Sequence, residues 1–178
     1  MSDFRELTPA EQLVGKKPPE FDFDNPFMDP KELADDLWKN MKHFGGVGLS
    51  ATQVGLDTKV FVMGTDDMRL NVFNPQVLTI SDKLDYYKEG CLTWPFLFMQ
   101  IKRPTFCIVS YYDENGEAKN IRFEGMTARI FMHEYDHMMG VDFTQRASKL
   151  VLERALKARD KKLKKLVQQG KLKLPNVA

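Results

Sequence analysis

His133-Glu134-Tyr135-Asp136-His137 stands inside residues 126–139, a run without Gly or Pro set between Gly125 and Gly140. Gly125 suits a break after a strand and Gly140 a helix end, so the run reads as a helix. Histidines at i and i+4 then share one face, one turn apart, and their imidazoles can converge on a metal ion. Glu134 between them suits a carboxylate that handles the protons of an activated water. The pentapeptide is short and could fall by chance on a surface helix, so the metal reading needs a third ligand and a place for a substrate. The histidines are His43, His133 and His137; the third ligand is therefore His43, a cysteine or a carboxylate. His43 ends another helical stretch, where a cation suits the helix dipole, and reads as a surface residue. Cys91 and Cys107 are too few for a disulfide framework, and Cys107 reads as a small core residue.

Working outward, Asp29 before Pro30 is a good helix start, and Leu33, Leu37, Trp38 and Met41 recur at helical spacing over 30–43. Before it, residues 1–28 are rich in Pro, Asp and Phe and read as extended chain held to the body by phenylalanines. After it, residues 45–55 are small, glycine-rich and mostly uncharged. They lack the lysine of a phosphate loop, but they can approach a ligand closely. Gln53 is a polar amide among small residues and needs partners if buried. Strands are expected at 58–63, 69–73, 76–80, 84–88, 105–112 and 119–124, with Asn74-Pro75 ending the second and Asn115-Gly116 turning a hairpin. The expected fold is α+β. Mixed, mostly antiparallel sheets wrap around the central helix that carries HExxH, and a helix from about 148 to 169 closes the chain.

A length of 178 residues, 43% of them hydrophobic, suits one body with a sizeable core. No apolar run approaches the roughly 20 residues that span a bilayer, and no secretory signal opens the chain, so a cytoplasmic protein without membrane contact is expected. Charge is unevenly divided. Residues 149–178 hold ten Lys+Arg and two Asp+Glu, a net of +8, which leaves −7 for the rest. The organisation expected is a catalytic unit over 1–148 and a basic helix and tail over 149–178, part of the same domain or appended to it. Such a tail suits an anionic partner.

Three stretches, Gly46-Val47-Gly48-Leu49-Ser50-Ala51-Thr52-Gln53, Glu89-Gly90-Cys91-Leu92 and His133-Glu134-Tyr135-Asp136-His137, together resemble the GxGLAAxQ, EGCLS and HExDH motifs of the peptide deformylases, in the same order. The resemblance implies metal ligation by Cys91, His133 and His137, with one position left open for water. The ion would be Fe²⁺ in the cell, with Zn²⁺, Ni²⁺ or Co²⁺ possible in purified protein. The implied reaction is hydrolysis of the formyl group from N-formylmethionyl nascent peptides, releasing formate. Glu134 would carry protons, and the Gln53 amide with the Leu92 backbone N–H would face the developing oxyanion. Substrate would pair with backbone at Val47 and Gly48, its methionine entering a pocket of Val47, Met126, Ile130 and the His133 ring. Glu89 and Asp136 would support the ligands, with Arg103 and Arg129 as ion-pair partners. The basic helix would favour the ribosome, and the chain would act as a monomer.

There are departures from the pattern. Ser50, Thr93-Trp94 and Met132 differ from the usual residues, and Gly45 and Phe98 stand where many members carry an acid and an arginine. The chain thus reads as a divergent member, of a phage or organelle type. Other readings of the same residues are a zinc endopeptidase built on HExxH, and a metal-stabilised module that binds RNA or the ribosome without catalysis.

Overall fold

The computed structural model describes residues 4–172. Helix α1 (Pro30–His43) begins as its sequence dictates. Asp29 Oδ1 accepts from the N–H groups of Lys31 and Glu32 at 2.9 and 3.1 Å, and Pro30 opens the first turn. Its buried face, Leu33, Ala34, Leu37 and Met41, packs with Leu49, Val60, Val62 and Phe73. Five strands, β1 (Gly48–Ser50), β2 (Val60–Thr65), β3 (Met68–Ile80), β6 (Phe106–Tyr112) and β7 (Ala118–Glu124), form one sheet in that order. Between β3 and β6 the chain makes a separate two-stranded sheet of β4 (Leu84–Gly90) and β5 (Phe98–Pro104). Every pairing is antiparallel.

Helix α2 (Gly125–Met138) carries the HEYDH residues and touches β1, β2, β6 and β7 of the large sheet and β5 of the small one. It therefore lies between the sheets as the part common to both. Gly125 at φ +56° starts it after β7, and Gly140 at φ +69° ends it. The N–H groups of Gly140 and Val141 donate back to the carbonyls of His137 and Asp136, which satisfies the open helix end. Phe131 on its inner face meets Phe61 and Phe123 and is fully buried. Cys107 is buried in the same cluster, where burial pushes its thiol up to about 11, in keeping with a core role.

Two expectations about strands change. Residues 69–73 and 76–80 are one strand, not two. Asn74-Pro75 falls at a slip in the β3–β6 register, so the missing proline N–H interrupts no ladder bond. Asn74, at φ +50°, turns its side chain to Phe21, accepting from Phe21 N–H at 2.7 Å and donating to its carbonyl at 2.9 Å. This fixes the extended amino-terminal segment, and the Phe21 ring packs on Phe73 at 5.0 Å. The second change is β5, a stretch to which the sequence alone assigned no element. Its inward positions are Met99, Ile101 and Arg103, and the charged third member hid the alternation.

Helix α3 (Lys149–Gln168) is capped by Ser148, whose Oγ accepts from Val151 N–H. Its first half packs Val151, Leu152, Ala155 and Leu156 against Leu97, Met99, Ile101 and Phe143. No residue of α3 is fully buried, and the stretch 173–178 of the basic tail lies outside the described residues. Among the described residues no helix is long and apolar enough to cross a membrane.

Candidate metal centre

α2 presents His133 and His137 from one face, with ring centroids 5.3 Å apart. The loop that follows β4 brings Cys91 to them, its Sγ 3.4 Å from His137 Nε2. One ligand atom from each of Cys91, His133 and His137 lies within 4.8 Å of the other two. A tetrahedral ion with bonds of about 2.3 Å to sulfur and 2.0 Å to nitrogen sets these atoms about 3.5 Å apart, so the trio has room for one. His43 is elsewhere, stacked on Phe4 with centroids 3.8 Å apart.

His133 and Cys91 are each held by residues outside the trio. His133 Nδ1 is 3.3 Å from Glu89 Oε2, which turns its other nitrogen toward Cys91. Cys91 Sγ is 3.0 Å from Thr93 Oγ1 and 3.5 Å from Gln53 Nε2. Burial alone would depress His133, but the sulfur of Cys91 and the carboxylate of Glu89 outweigh it and push the metal-free imidazole up to about 10. His137 is held well below the usual range by burial, with the charges of His133 and Arg103 adding to it. A second histidinium beside the first would be costly, so the pair is suited to share one ion rather than two protons.

Behind the ligands lies a buried ion-pair network. Arg103 donates to Glu89 at 2.7 and 2.9 Å and to Asp136 at 2.9 Å. Arg129 donates to Glu89 at 2.7 Å and to the Ile101 carbonyl at 3.0 Å, and also pairs with Asp85. Arg146 reaches Asp136 from beyond α2, its Nε at 3.1 Å. Burial opposes the charge on Glu89, yet His133 and Arg103 overcome it and pull its carboxyl down to about 2. Glu89, Asp136, Arg103 and Arg129 are thus brought together as expected, joining β4, β5 and α2.

Glu134 is 4% exposed, and its Oε2 has no hydrogen-bond partner. Burial pushes its carboxyl up to about 7. An orphaned buried carboxylate oxygen calls for a ligand or water in front of it. Space for Glu134 comes from Gly48, where an added Cβ would lie 2.4 Å from Glu134 Oε1. Gln53 is oriented just as firmly. Its Oε1 accepts from Ser50 N–H and Ser50 Oγ, each at 3.0 Å, so its Nε2 is left facing Cys91. Leu92 packs its side chain on Gly46, with an added Cβ there only 2.8 Å from Leu92 Cδ1. The glycine segment and the Cys91 loop therefore meet closely.

These groups open on a cavity of about 600 Å³. Val47, Gly48, Gln53, Cys91, Leu92, Met126, Ile130, His133 and Glu134 all line it, whereas His137 lies buried behind Cys91. The cavity runs between β1, at the edge of the large sheet, and β4, which among the described residues pairs only with β5. Phe98, singled out in the sequence as a departure, also lines it, and other lining residues were not anticipated: Leu7, Phe44, Tyr87 and Phe96. Tyr87 shares the strand parity of Glu89, a signal that 84–90 did carry. Leu7 and Phe44 gave none, since their place depends on how distant segments cross. The rim at 94–96 is tied down from outside. Trp94 Nε1 donates to Asp142 at 2.8 Å, Arg159 Nε donates to the Pro95 carbonyl at 2.8 Å, and Lys162 Nζ is 4.8 Å from the Phe96 ring centroid.

The polypeptide deformylase family model matches residues 14–153. A peptide deformylase of Thermotoga maritima is 36% identical over 129 residues, covering 71% of this chain and 79% of the relative. Among solved structures, a peptide deformylase of Synechococcus elongatus in complex with actinonin has a TM-score of 0.79 at 28% identity, covering 89% of this chain and 87% of that one. A Met-Ala-Ser-bound class I type b peptide deformylase of Acinetobacter baumannii has a TM-score of 0.76 at 25% identity, covering 83% and 100%.

Proposed function

The chain belongs to the polypeptide deformylase family, and we infer from that premise how its own residues carry out the reaction. The enzyme hydrolyses the formyl group from N-formylmethionyl peptides and releases formate. A divalent ion held by Cys91, His133 and His137 would supply Lewis acidity toward water and toward the formyl oxygen. The observation that most supports this reading is the unpartnered Oε2 of Glu134, which lines the cavity beside that ligand trio. Glu134 takes a proton from the attacking water and returns it to the leaving amine. The Gln53 side-chain amide and the Leu92 N–H donate to the formyl oxygen as negative charge gathers on it. Because Ser50 fixes the Gln53 carbonyl, that amide pays little reorganisation when the reaction begins.

The peptide lies extended between β1 and β4, pairing with backbone at Val47 and Gly48 as an added strand. The exposed side chains of Val47 and Met126, with Ile130 and the His133 ring, receive the methionine. Thiolate and imidazole ligands suit several transition metals, and Fe²⁺ is the ion we assign in the cell, with Zn²⁺, Ni²⁺ or Co²⁺ as substitutes in purified protein. Residues 1–148 form the catalytic unit, and the basic helix and tail over 149–178 favour the ribosome. The setting is a monomer in the cytoplasm, where nascent chains emerge.

The test is formate release from N-formylmethionyl peptides by protein prepared anaerobically with Fe²⁺. Activity should disappear with a chelator and return with metal. Glu134→Ala should keep its metal and lose turnover by at least about 10³-fold. Cleavage of internal peptide bonds without formate would overturn the reading.

A further inference from the structure

Phe98 is the first residue of β5 and lies opposite Gly90 in the β4–β5 ladder, one position from Cys91. Its ring rests on the Gly90 backbone. An added Cβ at Gly90 would stand 2.7 Å from Phe98 Cε1 and 2.9 Å from Cδ1. Lys88 places its ammonium 5.2 Å from the ring centroid, from the same strand as Gly90. The ring is thus seated against β4, yet half of Phe98 remains exposed, and the residue lines the cavity. Its neighbour Leu97 is fully buried, which anchors the backbone on one side. A fixed aromatic surface open to a binding cavity is poised to be covered when the cavity fills.

A peptide running between β1 and β4, with its formyl group at Cys91 and Glu134, leaves the centre past Gly90 and Phe98. We propose that Phe98 is a specificity-determining residue, a stacking platform for an apolar, above all aromatic, side chain on the residue that follows formylmethionine. The inference rests on the deformylase reading of the site and extends it to the second substrate residue. Ring stacking on a preplaced platform favours such a residue over alanine by about tenfold. The competing role for Phe98 is to shield Gly90, as aromatic residues do for glycines in paired strands. That role affects stability and leaves substrate choice alone.

The experiment measures kcat/KM for formate release from formyl-Met-X-Ser, with X as Phe, Leu, Ala or Glu, for the native chain and for Phe98→Ala and Phe98→Leu. Urea midpoints of each variant report on folding. The native chain should favour Phe over Ala by about tenfold, mostly through KM. Phe98→Ala should bring that ratio within about twofold, and Phe98→Leu, which keeps apolar bulk, should retain part of it. If Phe98→Ala fails to fold, the leucine variant decides, since the platform requires its Phe:Ala ratio to fall. Formate released equally from all four peptides, or with Glu preferred through Lys88, or with an unchanged ratio in the variants, overturns the platform but leaves the deformylase reading intact. No formate from any peptide overturns both.

Discussion

At the scale of single residues, the site depends on a side chain that is absent. Glu134 occupies the space a methyl group at position 48 would need. Gly48→Ala should therefore displace the carboxylate while leaving Cys91, His133 and His137 in place. The expected result is a loss of about 10²-fold in kcat with metal content unchanged, checked by turnover and metal analysis on one preparation. Much of the centre was legible at this scale. HExxH has a spacing with a mechanical meaning, and the resemblance supplied Cys91 and Gln53. The glycine's particular neighbour was not legible, because which atom faces a missing Cβ is decided by the packing of α2 on β1. Thr93 was likewise silent, since nothing in its residue type announces a contact with the Cys91 sulfur.

Between elements, Arg103 does the joining. It reaches Glu89 on β4 and Asp136 on α2 from β5, and it is 2% exposed. Replacing it with leucine would leave two buried carboxylates without their shared cation. Arg103→Leu should lower unfolding stability by about 3–5 kcal/mol, measured by urea titration of the metal-free protein. The same arginine explains why β5 was missed in the sequence. An inward charge contradicts the alternation that marks a half-buried strand, and only the partners on β4 and α2 make it tolerable. Asn74-Pro75 misled for the opposite reason. A proline is a sound strand terminator except at a register slip, and a slip is a property of two strands rather than one. Helices were easier to read, since α1 and α3 carry caps and apolar spacing within their own residues.

For the molecule as a whole, the charge division visible in the sequence becomes a division in space. Lys157, Lys161, Lys164 and Lys165 are exposed on α3, while its opposite side packs on β5 and the rim loop. Reversing these four lysines to glutamate tests the ribosome proposal without stripping α3 from the rim. Binding to ribosomes over a salt series should weaken by at least about 10²-fold at low salt, with a shallower salt slope. Turnover of free peptides should stay the same. Equal, salt-insensitive binding by both proteins would reject the contact. The fold class and the helix that centres it were readable from pattern. The cavity was not, because its walls come from segments that only the completed chain brings face to face.

Arg159 and Lys162 give α3 a further consequence. Both touch the cavity's lip, at Pro95 and Phe96, so the basic surface and the entrance are neighbours. Under the proposed ribosome contact, a chain end emerging beside α3 would meet the centre at a local concentration set by the length of its tether. Short flexible tethers give millimolar values, far above the supply of any one nascent chain in free solution. The enzyme can then afford loose grip on peptide side chains, because proximity does the work that affinity would otherwise do.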